Sequence, residues 1–228
     1  MKYYNQEITD LLRNFGADAV GFADLMSHQQ WIHYQYGNSW DGYPYAIAVA
    51  VNFPRAVVNQ LLVAPSHSYL RFYDIINNRL DEMTLAVANY LENLGFMAFP
   101  VPASQRSGEE RLDAIFSHRA AAHWAGLGWI GKSCSLITEQ RGPRLRLATV
   151  LTDAPFVCGT PMDSRCGTCH ACVDACPAGA LEDVLFANDQ PLGDRFDGIA
   201  CDRYLQQMRH SFGKRICGRC IAACPRGK

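Results

Sequence analysis

"CGTCHACVDACPAGAL", residues 166–181, sets Cys166, Cys169, Cys172 and Cys176 into one short stretch and follows the last with Pro177. Two intervening residues let a tight loop aim successive thiolates at one centre, and the Cys-Pro step then turns the chain away. The chain has ten cysteines, and eight of them fall between Cys166 and Cys224. A disulfide framework needs an oxidising compartment and usually a smaller chain. A localised metal-binding module is therefore the reading.

The spacing C-x2-C-x2-C-x3-C-P is the bacterial ferredoxin type, in which the fourth cysteine ligates the neighbouring cluster. If Cys176 belongs to a second cluster, three more thiols must complete that cluster and one must close the first. Cys201, Cys217, Cys220 and Cys224 supply them, the last again followed by proline, Pro225. The expected allocation is Cys166, Cys169, Cys172 and Cys224 around one [4Fe-4S] cluster. Cys176, Cys201, Cys217 and Cys220 then hold the other. Paired C-x2-C elements also build zinc sites, which His170 or His210 could join, but a four-cysteine zinc site would leave half the set idle. Cys134 and Cys158 fall outside both sets and read as buried free cysteines. Arg203, Arg209, Lys214, Arg215, Arg219 and Arg226 accompany the second run. They read either as cations that raise the potential of anionic clusters or as a solvated face.

With 228 residues, 49% of them apolar, and a net charge of −1, the chain suits a soluble globular protein of one or two domains. No run of eighteen apolar residues marks a membrane span. The opening residues, "MKYYNQEITDLLRNFGAD", lack the apolar core of a signal peptide. The expected compartment is the cytoplasm, where thiols stay reduced.

Composition shifts after Asp153, where Pro155, Gly159 and Pro161 mark a connection. This divides the chain into an α+β domain over 1–154 and the cysteine-rich domain over 155–228. Upstream, an amphipathic helix is expected over about 5–15, and strands over 18–25, 45–53 and 96–102. The longest helical pattern runs from Ser66 to Leu94, with Gly95 as its stop. A second helix is expected over 111–126, leading into the glycine-punctuated loop "GLGWIGKS", 126–133. There Gly128 and Gly131 permit close backbone approach to a ligand, Trp129 offers an apolar face and Lys132 a charge. The alternative is a tight connection with Trp129 as a core plug. "CSLIT" and "RLRLATVLT" read as a hairpin around "EQRGP". Arg144 and Arg146 alternate along that strand and read as a solvated face.

"SHRAAAHWAGLGWIGKSCSLIT", "RGPRLRLATVLTDAPF" and the eight-cysteine pattern with "CDRY" at 201–204 resemble the epoxyqueuosine reductase family. The likeness also reaches "FPVPAS" at 99–104. It implies a nitroreductase-like mixed-sheet domain followed by a small ferredoxin-like domain with two [4Fe-4S] clusters. It implies a cobalamin that receives their electrons, and a reaction that removes an epoxide oxygen from a modified tRNA base. Nitroreductase-like folds also carry flavin. Longer members add a helical-repeat domain that helps bind tRNA, and this chain is expected to be the short form without it. A sequence pI of about 6.6 gives no basic footprint and speaks against tRNA as a partner.

The family places a proton-donating acid in an Asp-Tyr-His stretch before an Arg-Leu pair. Aligned on Arg79 and Leu80, that stretch is Arg71, Phe72 and Tyr73 here, with Asp74 next. Tyr73 and Asp74 are thus the candidate proton donors, about 100° apart on a helix. His118 is a candidate cofactor contact, with a structural histidine as the alternative. The expected activity is a reductive cleavage driven by a low-potential donor such as a ferredoxin or flavodoxin. The other reading is an electron-transfer or corrinoid-reactivating protein with no substrate turnover of its own.

Overall fold

The computed structural model describes residues 3–108, 112–187 and 192–227. In chain order the elements are α1 (Asn5–Asn14), β1 (Ala19–Asp24), α2 (Gln29–Tyr36), β2 (Tyr45–Asn52), α3 (Arg55–Asn59), α4 (His67–Asn93) and β3 (Ala98–Val101). They continue with α5 (His118–Trp124), β4 (Trp129–Ile130), β5 (Leu136–Ile137), β6 (Leu145–Thr152), α6 (Ala171–Asp174), α7 (Gly198–Phe212) and α8 (Arg219–Ala223). Four strands form one sheet in the order β1-β2-β6-β3, every pair antiparallel.

The near-continuous apolar run of β2 follows from burial on both faces. Ile47, Val49 and Val51 point into a core with Ile8 and Leu12 of α1 and Ile76, Leu80, Met83, Val87 and Leu91 of α4. The alternate residues, Ala46, Ala48 and Ala50, meet Ala120, Ala121 and Ala122 of α5 on the opposite side. Alanine against alanine lets α5 lie close to the sheet. Gly21 of β1 extends that close approach, since a Cβ there would stand 2.9 Å from the Ala125 Cβ. The fold is therefore mixed α+β, with a sheet between two helical layers.

α4 occupies almost the whole stretch its periodicity marks. Ser66 caps it by accepting the Tyr69 amide at 3.1 Å, and Gly95, with φ of +86°, ends it. α5 is much shorter than the helix expected over 111–126. Residue 111 lies outside the described residues, Ala114 bridges to Arg106, and the helix starts only after its cap Ser117. The expected hairpin is also replaced. β5 pairs with β4, while β6 pairs with β2 and β3, leaving one isolated bridge, Thr138 to Gly142, at the turn. β6 pairs with β2 along eight residues and with β3 along four, and the two-residue β5 offers far less pairing.

The cysteine-rich tail does not stand apart. Ile216 and Ala222 belong to the same core as Leu61 and Tyr69. Gly218 makes this possible: its φ is +81°, and a Cβ would come within 2.6 Å of the Leu61 side chain. α7 is framed by Asp197, which accepts the Ala200 amide at 2.9 Å, and by Gly213 in the left-handed region.

Candidate functional site

α6 and α8 are the same device used twice, a single short helix between a Cys-x2-Cys loop and a Cys-Pro step, and they pack against each other. Burial raises the Cys172 thiol to about 11, and nearby Cys224, Cys166 and Cys169 push the same way. Burial likewise raises Cys201 to about 11, reinforced by Cys176 and Cys217. Cys220 is raised by burial and then by Cys217, Cys176, Cys172 and Cys201. The structure thus brings Cys166, Cys169, Cys172 and Cys224 into one neighbourhood and Cys176, Cys201, Cys217 and Cys220 into a second. The two meet at Cys172 and Cys220. Crowded, desolvated thiols resist ionising alone, and a cationic iron core is what reverses that preference. Four thiols each is also the number that such a cluster takes. Among the described residues no three His, Cys, Asp or Glu side chains converge on a single ion position. A cubane takes each thiolate at a different iron, so its ligands stand around it. The Ala180 amide donates to the Cys176 sulfur at 3.3 Å.

The glycine loop faces this neighbourhood. Trp129 is 1% exposed and packs with Ile137, Met162, Cys166 and Cys224. At Gly128 a Cβ would strike the Ile137 carbonyl at 2.2 Å, and at Gly131 it would lie 3.3 Å from the Cys166 sulfur. Lys132 is 5% exposed and pairs with Asp183 at 2.7 Å. His118 is held by Thr149 at 2.9 Å and the Pro102 carbonyl at 3.2 Å, and burial lowers its pKa to about 4. Of the residues expected to contact a cofactor, Gly128, Trp129, Gly131, Lys132 and His118, the three with side chains are engaged internally: the histidine is doubly anchored, the tryptophan buried and the lysine ion-paired. The loop is apolar because it packs against thiols, and glycine is required there by the neighbouring backbone.

Tyr73 and Asp74 meet different partners. The Tyr73 hydroxyl is hydrogen-bonded to Ser104 Oγ and receives Arg146 Nη2 at 3.2 Å, with the guanidinium 4.2 Å from its ring centroid. Arg146 also donates to Ser104 at 2.7 Å and to Asn77 Oδ1 at 3.0 Å. Burial raises the phenol's pKa, but Arg146, the Ser104 and Asn77 hydrogen bonds and Lys214 outweigh it, and the net direction is down. Asp74 pairs with Lys214, whose ammonium also stands 5.5 Å from the Tyr73 ring. Lys214 lies between Gly213 and Arg215, which line a cavity of about 770 Å³ with Arg106, Asp202, Gln206, Arg209 and His210. Asp202 holds Arg106 at 2.5 Å and Arg215 at 3.2 Å across it.

The arginines of β6 and its approach are not a solvated face. Arg144 is 0% exposed and donates to the carbonyls of Arg226 at 2.6 Å, Cys224 at 3.0 Å and Ala222 at 3.2 Å. Its role was legible only in part: an arginine flanking a strand buried on both faces must find internal acceptors.

No protein-family model matches the chain. It is 26% identical over 264 residues to the epoxyqueuosine reductase of Bacillus anthracis, covering 98% of this chain and 64% of that protein. The chain thus spans about two thirds of that relative's length. A reductive dehalogenase described for B12-dependent dehalogenation superposes with a TM-score of 0.76 at 23% identity, over 99% of this chain and 32% of the other. An epoxyqueuosine reductase with a tRNA-Tyr epoxyqueuosine-modified stem loop superposes with a TM-score of 0.60 at 20% identity, over 98% and 65%. The architecture is that shared by reductive dehalogenases and epoxyqueuosine reductases. By sequence, the chain is similar to epoxyqueuosine reductases along nearly its whole length. Because a reductase of this fold is described with a tRNA stem loop, a pI near 6.6 is no argument against RNA. Among the described residues, no helix is long and apolar enough to cross a membrane.

Proposed function

We propose that this chain is a cytoplasmic iron–sulfur oxidoreductase that draws electrons from a low-potential ferredoxin or flavodoxin for a reductive cleavage. Residues 155–228 form its ferredoxin-like part and residues 1–154 its nitroreductase-like part. The observation that carries this reading is the gathering of eight thiols into two neighbourhoods of four. Cys166, Cys169, Cys172 and Cys224 hold one [4Fe-4S] cluster; Cys176, Cys201, Cys217 and Cys220 hold the other. When bound, such clusters supply one-electron transfer at potentials set by charge, hydrogen bonds and solvent exposure.

Tyr73 holds the proton. Arg146 and Ser104 fix the position of its hydroxyl, and Arg146 with Lys214 makes the phenol more acidic. The neighbouring cavity, lined by three arginines and one aspartate, suits a polar or anionic reactant. A modified tRNA base, the substrate named for the related reductase, is the substrate class to test first. The electron acceptor is proposed from likeness alone. A B12-dependent neighbour of the same fold makes a cobalamin the first candidate and a flavin the second. No residue here is assigned to hold either.

The second reading, an electron carrier or corrinoid-reactivating protein, is favoured by one observation. The side chains expected to grip an organic cofactor are committed to internal packing. One experiment separates the two. The protein is purified without oxygen, assayed for iron and acid-labile sulfide, then titrated with cobalamin and with flavin. Eight irons with saturable cofactor binding support the reductase. Eight irons with no affinity for either cofactor support the carrier, and zinc without sulfide removes both.

A further inference from the structure

Trp129 carries a polar group for which the protein provides no partner. Its indole Nε1–H is buried and finds no hydrogen-bond acceptor among the described residues. Leaving a buried N–H unpaired costs about 1–3 kcal/mol, and native structures rarely tolerate it. The pairing of β4 with β5 engages Trp129 through its main chain only. Its apolar packing neighbours are Ile137, Met162, Cys166 and Cys224, three of which carry sulfur. A thioether is a weak acceptor, whereas thiolates and sulfides on an anionic cluster are strong ones.

Two further observations place the ring against that cluster's edge. Gly131, two residues on, would put a Cβ 3.3 Å from the Cys166 sulfur, so the loop touches the ligand thiol directly. The guanidiniums of Arg165 and Arg226 each stand 5.8 Å from the Trp129 ring centroid, and Arg226 also donates to the Arg165 carbonyl at 3.0 Å. The indole thus packs with the thiol pair Cys166 and Cys224 and has two cations near its ring.

Resting on the cluster assignment proposed above, we infer that Trp129 donates its indole N–H to a sulfur of the cluster held by Cys166, Cys169, Cys172 and Cys224. That bond makes Trp129 a positioning residue that raises this cluster's reduction potential. A hydrogen bond to sulfur favours the form with more negative charge, which is the reduced form. The second cluster, whose Cys176 sulfur receives the Ala180 amide at 3.3 Å, keeps that donor in the variant and serves as the internal reference.

The test uses the full chain, purified anaerobically with its iron. Indole-¹⁵N tryptophan is incorporated and pulsed electron paramagnetic resonance is recorded on the reduced protein. Trp31 and Trp124 pack on the far side of the sheet with the neighbours of Trp40, so only Trp129 lies beside cysteine ligands. A ¹⁵N coupling and an exchangeable-proton coupling on one cluster are expected. Trp129→Phe keeps the ring and removes the N–H. It should keep all its iron, lose both couplings and shift that cluster's reduction equilibrium about tenfold toward the oxidised form, about 59 mV for one electron. The other cluster should not move. Full iron with no ¹⁵N coupling in the unsubstituted protein overturns the inference alone, whether or not the variant folds. Unlabelled, iron-free protein after anaerobic purification overturns the cluster assignment and the inference with it.

Discussion

Arg144 sets a full positive charge where water does not reach and points it at the last turn of the chain. Its three carbonyl acceptors, on Ala222, Cys224 and Arg226, bracket the Cys224-Pro225 step. Burial lowers its pKa, and the Cys224 sulfur counters that. Arg144→Met keeps the volume and removes every donor, which orphans buried carbonyls at about 1–3 kcal/mol each. We expect a loss of about 3 kcal/mol or more in denaturant unfolding and about half of the bound iron, because only one cluster uses Cys224. Full iron retention would show that the clasp does not position the ligand. Tyr73 is the second residue whose surroundings fix a measurable property. The charged form of a phenol is an anion, so Arg146 lowers its pKa, and removing that cation must raise it. The absorbance difference between the protein and Tyr73→Phe should therefore titrate below the ordinary value of 10.0. In Arg146→Gln the same titration should move upward. With substrate in hand, Tyr73→Phe should lower turnover by about 10²–10⁴, the usual contribution of a positioned acid.

Elements differed in how openly the sequence announced them. α4 was legible because Tyr69, Ile76, Leu80, Met83, Val87 and Leu91 recur at helical spacing and Gly95 stops the pattern; propensity, periodicity and capping agree there. α5 was not, because the apolar spacing over 111–117 suits a helix equally well, and the pairing of Ala114 with Arg106 decides otherwise. The misassigned hairpin has the same cause. Two β-prone segments flank a glycine, and only the tertiary competition between partners shows that β6 joins β2. α7 went unread as an element although its signals are clean, Asp197 at its start and Gly213 in the left-handed region at its end. Cys201 lies in its first turns, so the Asp197 cap also fixes a proposed ligand. Asp197→Ala should cost about 1 kcal/mol in unfolding. It should weaken the electron paramagnetic resonance signal of the Cys176, Cys201, Cys217 and Cys220 cluster before that of the other. Equal loss from both clusters would mean that the cap acts on the molecule at large.

At the scale of the whole molecule, the thiols were legible as a set because ligand spacing is local in sequence. The company they keep was not, because it is assembled across the chain. Arg106 reaches Asp202, Asp74 reaches Lys214, Lys132 reaches Asp183, and Asn5 clasps the backbone of Val157 through both N–H and C=O. Ile216 and Ala222 then share the core of α4 and the sheet. A boundary at residue 154 therefore describes composition, while the packing argues for one cooperative unit. If the clusters bind the folded chain and not the unfolded one, they stabilise all of it by mass action, about 4 kcal/mol when the free ligand exceeds its dissociation constant a thousandfold. At about 2–4 °C per kcal/mol for a chain of this size, anaerobic removal of iron should lower the melting midpoint by about 10 °C. Far-ultraviolet dichroism, which follows the sheet and helices, and tryptophan fluorescence, reporting Trp124 beneath the sheet and Trp129 beside the thiols, should fall together. Two separated transitions, with the sheet melting at the same temperature with and without iron, would show instead that the tail is an independent domain resting on its neighbour.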